Sequence, residues 1–275
     1  MITLKAPPMA PSPVQSVARQ SWRNGAAALI GERTLAEEVP VAFSYDGATH
    51  AVLMATPDDL GDFALGFSMT EGIVRHPSEI EELTIVGCAD GIVLRMWLSG
   101  ARSDAFAARR RRYVGPAGCG MCGLESLAEA NRSIPRVPRG LAIDRRDIED
   151  AVATLPQGQT LNLRTRSVHA AAFWQRDRDF VLREDVGRHN ALDKLAGALL
   201  RDGRPIAAGV VVLSSRISIE MVQKAGMIGA PVVVGLSAPT ALAVRVADAV
   251  GITLIGIARD DGFEVFTHPE RFRRH

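Results

Sequence analysis

The stretches Gly209-Val-Val-Val-Leu213, Pro231-Val-Val-Val-Gly235 and Ile252-Thr-Leu-Ile-Gly-Ile257 decide the fold. Each is a short, unbroken apolar run. A strand with one wet face alternates polar and apolar residues, so unbroken runs mean strands buried on both faces. Between them lie helical patterns over Ser218 to Met227 and from Ser237, with Pro239 in its first turn, to Val250. Strand–helix–strand–helix–strand predicts a parallel sheet covered by helices on both faces, an α/β architecture. Asp144 is placed to cap a further helix running to about Leu155.

Working backwards, the first half reads as a smaller α+β unit. Val39–Phe43 and His50–Met54 are strand-like and flank Asp46-Gly47, a strong hairpin signal. Thr56, Pro57 and Asp59 have the form of a capping box opening a helix that carries Leu60, Phe63, Ala64 and Phe67. Leu83–Val86 and Gly91–Met96 predict two more strands. Residues 1–24 are rich in Pro and polar residues and are expected to form a poorly ordered arm. The expected division is 1–24 as arm, 25–115 as the α+β subdomain, 116–123 as a mobile loop and 124–275 as the α/β subdomain.

The chain has 275 residues, 47% hydrophobic and 23% charged, with a formal net charge of +1. That balance gives no reason to expect a nucleic acid or an anionic membrane as partner. No run approaches the roughly 20 apolar residues of a membrane span. The N-terminus, MITLKAPPMAPSPVQ, has prolines where an export signal needs an apolar stretch, so the cytoplasm is the expected compartment.

There the three cysteines, Cys88, Cys119 and Cys122, are expected as thiols. Cys119 and Cys122 sit in Gly115-Pro-Ala-Gly-Cys-Gly-Met-Cys-Gly123, too rich in glycine for a helix interior or central strand. A helix is expected from Leu124 to Ala130, and Arg109 to Arg112 precede the loop. A helix N-terminus and nearby cations both favour the thiolate. A glycine-rich loop with two such thiols suits a sulfur carrier. Half a zinc site, a thioredoxin-like dithiol and an incidental pair remain as other readings. Cys88, after an apolar run, is expected to be buried.

Two polar clusters stand out elsewhere. Arg183-Glu-Asp-Val-Gly-Arg-His-Asn190 is either a solvated helix start or a pocket wall where Arg188 and His189 meet an anion. Ser214-Ser-Arg-Ile-Ser-Ile-Glu220 follows a strand end, where open α/β sheets gather ligands, and Ser215 and Arg216 suit a phosphate. Ile257, Ala258, Arg259, Asp260, Asp261 and Gly262 leave the last parallel strand at the same edge. His169 is expected to be an ordinary core or pocket residue.

Glu38-Val-Pro-Val, Gly66-Phe-Ser-Met-Thr-Glu-Gly72, Cys119-Gly-Met-Cys-Gly123, Arg183–Lys194 and Ser215-Arg-Ile-Ser-Ile-Glu-Met-Val-Gln-Lys224 occur in this order. Together they resemble the FdhD family, sulfurtransferase accessory proteins of formate dehydrogenase, over about Glu37 to the C-terminus. The resemblance implies a cytidine-deaminase-like mixed sheet and a homodimer. It implies a persulfide accepted from a cysteine desulfurase, with Cys119 as lead carrier and Cys122 as auxiliary. The sulfur would pass to the molybdenum or tungsten of a bis-molybdopterin guanine dinucleotide cofactor, the bound client, before that cofactor enters formate dehydrogenase. A guanine nucleotide would act as its analogue, the cofactor contacts would fall on Ile257 to Gly262, and the protein would carry no metal of its own. The deaminase zinc signature is missing, since Ala171 stands where His-x-Glu needs the acid and Gly118 where Pro-Cys needs the proline. A zinc hydrolase and a non-catalytic cofactor chaperone are the alternative functions.

Overall fold

The computed structural model describes residues 3–5, 11–22, 29–113, 134–139 and 141–273. Its strands are β1 (Thr3–Lys5), β2 (Val14–Ser21), β3 (Leu29–Ala36), β4 (Val39–Tyr45), β5 (Ala48–Ala55), β6 (Ile80–Cys88), β7 (Gly91–Leu98), β8 (His169–Trp174), β9 (Val181–Asp185), β10 (Val210–Leu213), β11 (Val232–Gly235), β12 (Thr253–Arg259) and β13 (Gly262–Val265). Seven α-helices are described: α1 (Leu60–Thr70), α2 (Gly100–Tyr113), α3 (Arg145–Gly158), α4 (Thr160–Thr165), α5 (Arg188–Arg201), α6 (Ile219–Met227) and α7 (Ala241–Val250).

The apolar runs of the second half form the centre of a six-stranded sheet, ordered β13-β12-β11-β10-β8-β9. β10, β11 and β12 are parallel, while β8 pairs with β10, β9 with β8 and β13 with β12 in antiparallel fashion. Alternation along β10 shows why no polar residue is tolerated. Val210 and Val212 face one side, where Ile148, Ala151 and Leu155 of α3 cover them. Val211 and Leu213 face the other, against Leu192, Leu195 and Leu199 of α5, Met221 and Val222 of α6 and Ala243 and Ala247 of α7. Asp144 caps α3 reciprocally with Asp147, as its sequence predicts.

The first half supplies a five-stranded sheet, ordered β1-β6-β7-β4-β5. Asp46 and Gly47 turn β4 into β5 with φ of 50° and 81°, the two left-handed residues of a type I′ turn. α1 lies on this sheet, and every residue of it except Gly61 is buried. Its other side meets α5, which is buried from Asn190 to Leu199. The layers therefore run sheet, α1, α5, sheet, α3. Contact between α1 and α5 is made through glycine: a methyl placed on Gly66 would come within 2.7 Å of the Gly197 nitrogen, and one on Gly197 within 2.8 Å of Asp62 Cα.

Four local expectations are corrected. The N-terminal stretch read as a disordered arm contains β1, which extends the five-stranded sheet beside β6, and β2, which pairs with β3 as a two-stranded ribbon. α1 is capped by Asp59, left-handed and without a side-chain cap bond, rather than by Thr56. Thr56 instead serves β9: its N–H donates to Asp185 at 3.0 Å, and its hydroxyl accepts from Val186 N–H at 3.2 Å. α7 opens at Thr240, whose side chain accepts from Ala243 N–H, not at Ser237. Cys88 is exposed at the end of β6 rather than buried. Among the described residues no helix is long and apolar enough to cross a membrane.

Candidate functional site

One edge of the six-stranded sheet gathers almost every polar residue singled out above. Parallel strands end on the same side, so β10, β11 and β12 bring Ser214–Ser218, Leu236–Thr240 and Ile257 there. β8 runs the other way and contributes its first residue, His169, which pairs with Asp185 at the end of β9. Arg188 and His189 follow after two residues, at the head of α5.

The Arg183–Lys194 stretch is mostly structural. Arg183 donates to Asp62 through Nε and Nη2 at 2.9 and 2.8 Å, and Arg201 holds the other oxygen of the same carboxylate. Glu184 accepts the Leu161 and Asn162 N–H groups at 2.7 and 2.8 Å. Asp185 and Lys194, both wholly buried, form an ion pair at 2.7 Å. Asp185 also accepts from Gly187 N–H and Asn190 Nδ2, while Lys194 donates to the Thr56 carbonyl at 2.9 Å. The solvated-helix reading of this stretch is therefore wrong, since Glu184 and Asp185 are buried. These bonds hold the start of α1 against the β9–α5 turn and leave Arg188 and His189 free of structural duty.

Ser215–Lys224 divides in the same way. Lys224 reaches both oxygens of Asp193 at 2.9 Å and Glu71 at 2.6 Å, and Thr70 donates to Asp193 at 2.6 Å. This ties the C-terminus of α1 to α5 and α6. Burial raises the Asp193 carboxyl even against Lys224. Ser215 is buried, its hydroxyl donating to the Arg216 carbonyl at 3.0 Å, whereas Arg216 is exposed.

What remains is a group of unsatisfied atoms. Arg188 Nε, His189 Nε2 and Ser218 Oγ are buried without a hydrogen-bond partner among the described residues. Leaving such a group unpaired costs about 1–3 kcal/mol, which makes these three atoms candidates for contact with a ligand or with another part of the protein. Burial, with the Arg188 and Lys224 charges, pushes the His189 imidazole down to about 4. Burial and Arg188 also lower His169. Burial alone would raise Glu220, but the Ser218 hydroxyl near it, its own backbone N–H, His189 and Arg188 outweigh this and hold it below the ordinary range. His169 reads from the sequence as an ordinary core or pocket residue, and Ser218 and Glu220 lie inside the Ser215–Lys224 motif without being picked out individually as site residues.

The Ile257–Gly262 segment occupies the far end of this edge. Ile257 has φ 52°, a left-handed backbone that a β-branched side chain rarely adopts, and its N–H donates to the Ser237 carbonyl at 3.3 Å. The register of β12 against β13 shifts at this point. Ala258 is buried in the core under α3, which removes its side chain from any site. Arg259, Asp260 and Asp261 are exposed at the turn. β12 and β9 are separated by β11, β10 and β8, so the two halves of the site stand four strand spacings apart, roughly 19 Å. The structure places them on one edge but does not bring them into contact. Cys119, Cys122 and the helix expected at Leu124 to Ala130 lie outside the described residues. Among the described residues no group of three or more His, Cys, Asp or Glu could hold a metal ion.

Known proteins share this chain's sequence and its fold. A protein of Agrobacterium fabrum named sulfur carrier protein FdhD is 50% identical over 257 residues, covering 93% of this chain and 94% of its own. The protein of the same name from Cupriavidus necator is 46% identical over 254 residues, covering 92% and 88%. A crystal structure from Desulfotalea psychrophila, provisionally described as a formate dehydrogenase accessory protein, has the same fold. It superposes with a TM-score of 0.73 at 23% identity, covering 94% of this chain and 99% of its own. The FdhD/NarQ family matches residues 36–273, which take in the six-stranded sheet, strands β4 to β7 of the five-stranded sheet, the polar edge and the cysteine pair. This chain belongs to the FdhD/NarQ family.

Proposed function

We propose that this protein is a sulfur carrier that matures the molybdenum cofactor of formate dehydrogenase. The observation that carries the reading is the pair Cys119-Gly-Met-Cys122, set within residues that match the family and its sulfur-carrier relatives. In the carrier step the Cys119 thiolate attacks the sulfane sulfur of a persulfide on a cysteine desulfurase. The desulfurase cysteine leaves as a thiolate, and a persulfide forms on Cys119. Cys122 assists, or resolves the persulfide to a disulfide. As the Cys122 thiolate attacks the inner sulfur of Cys119, the terminal sulfur leaves as sulfide for the metal of a bis-molybdopterin guanine dinucleotide, bound as substrate; the Cys119–Cys122 disulfide that remains is reduced to the two thiols by a cellular thiol.

The polar sheet edge suits such a client. A dinucleotide cofactor is long and carries phosphates and bases, and this edge offers separated polar stations at Arg188–His189, Ser215–Arg216 and Ile257–Gly262. We read the helix-covered mixed sheet as related to that of cytidine deaminases, and the working unit as a cytoplasmic homodimer. The test is intact-protein mass spectrometry after incubation with a cysteine desulfurase and L-cysteine. Wild type should gain one sulfur atom, reversibly with reductant, and Cys119→Ala should not. No gain in wild type would overturn the reading.

A further inference from the structure

β2 and β3 pair along their whole length, from Val14 opposite Ala36 to Ser21 opposite Leu29, and among the described residues no third strand joins them. The base of this ribbon is tied down. Glu37 N–H donates to the Pro13 carbonyl at 2.9 Å, β3 meets α4, and Arg33 Nη2 donates to the Thr165 carbonyl at 3.4 Å. Further out, Ile30 is 83% exposed, Trp22 72% and Leu29 69%, and Val17 and Leu35 add 45% and 37%. Leu29 and Ile30 are neighbours in one strand and so point to opposite faces. Both faces of the ribbon therefore carry apolar side chains into water. A two-stranded hairpin without cover is marginally stable at best, and exposed apolar strands invite aggregation.

We propose that the β2–β3 ribbon is the arm by which one copy of this chain clasps a second copy. The inference rests on the homodimer reading above and locates its interface. Taking about 150 Å² for a large apolar side chain, the five residues leave roughly 450 Å² in water, more than a scattered monomer surface needs. A stable interface buries about 800 Å² per partner, of which roughly 56–65% is apolar, so the ribbon supplies about the apolar share that one partner of a dimer contributes. Charge points the same way. The paired strands carry three charged residues, Arg19, Glu32 and Arg33, and the chain carries a net +1, so two copies meet without strong repulsion. An interface this apolar is of the permanent kind, and the permanent partner of a symmetric assembly is its own copy. A lipid surface would be met by one apolar face, whereas here both are apolar. The family match begins only at residue 36, where the ribbon ends, which separates this arm from the sulfur chemistry.

The experiment is sedimentation equilibrium of the full chain over a dilution series, for wild type, Leu29→Lys with Ile30→Lys, Trp22→Ser and Val52→Lys. Wild type should sediment at twice the chain mass. The double lysine variant and Trp22→Ser should each raise the dimer dissociation constant at least roughly tenfold, as loss of large apolar anchors does. All three replaced side chains are exposed, so the melting temperature of the separated chain should hold. Val52, 58% exposed on β5 and outside the ribbon, is the control, and its variant should stay dimeric. Ribbon variants as dimeric as wild type would overturn the arm while leaving the homodimer standing. Dissociation by Val52→Lys alone would move the interface to the five-stranded sheet and overturn the arm as well. A wild type that is monomeric at every concentration would overturn the arm and the homodimer together, while the persulfide assay would still decide the carrier step on its own.

Discussion

Replacing Gly66 by Ala should destabilise the protein, although the same change in an isolated helix would stabilise it. Gly66 lies mid-way along α1, where Ala is favoured over Gly by about 1 kcal/mol. Against this, the added methyl would overlap the Asp193 carbonyl oxygen, lie 2.6 Å from its carbon and lie 2.7 Å from the Gly197 nitrogen. Non-bonded carbons settle near 3.5 Å or beyond, so α1 and α5 must part by roughly 1 Å. The obstructing atoms are backbone, and no rotamer change relieves them. Overpacking of this kind typically costs about 1–3 kcal/mol, occasionally more. This case sits at the upper end, because parting the helices also loosens Thr70–Asp193–Lys224. A net loss of about 2–3 kcal/mol should lower Tm by roughly 4–12 °C for a chain of this size. Gly100→Ala, at the start of α2 with nothing within 4 Å, is the control and should change little. The double variant Gly66→Ala with Gly197→Ala should lose less than the two single losses together, since one separation admits both methyls. A melting temperature for Gly66→Ala equal to or above wild type would refute the close crossing.

Lys194→Met strands a fully buried Asp185 and removes the donor to the Thr56 carbonyl; breaking a buried pair this way should cost about 3–5 kcal/mol in urea denaturation, and a loss under about 1 kcal/mol would mean that the pair is not isolated from water. His189 titrates near 4 in the fold against 6.5 unfolded, so the unfolded chain binds the proton first as pH falls. Its contribution is intact above pH 6.5 and is lost on descending to about 4, with a size of about 2 kcal/mol after allowance for partial exposure. His189→Gln should lose less stability than wild type between those limits, and parallel pH profiles would contradict this. Ile257→Gly relieves a left-handed backbone while adding chain entropy, so stability should shift by no more than about 1 kcal/mol; a larger loss would show that the Ile257 side chain has a packing role.

The fold was most legible where burial leaves the sequence no choice. Val210–Leu213 and Val232–Gly235 must be apolar on both faces, and they read directly as central strands. Asp46-Gly47 was legible because its backbone geometry demands those residues. What failed was local logic overruled by distant partners. Thr56 has every mark of a helix cap, yet its groups bond to β9, over a hundred residues away in sequence. β2 and β3 show no clear alternation, because most of the ribbon is exposed on both faces. In the site, Arg188 and His189 could be picked out because charge is dense there, but the same density hid how much of the stretch is structural. Which charges face inward depends on α1, and no pattern within 183–194 records that helix.

This division of labour bears on what relatedness can tell about the family. Arg183, Glu184, Asp185, Asn190, Asp193 and Lys194 hold strands and helices together, so a relative that lost the carrier chemistry would retain them for folding alone. Conversely, a member serving a different client needs to change only the few positions that the scaffold leaves unengaged. Divergence of function should therefore leave this stretch largely intact and show itself at Arg188, His189, Ser218 and Glu220, where a single substitution is a more informative marker than overall similarity.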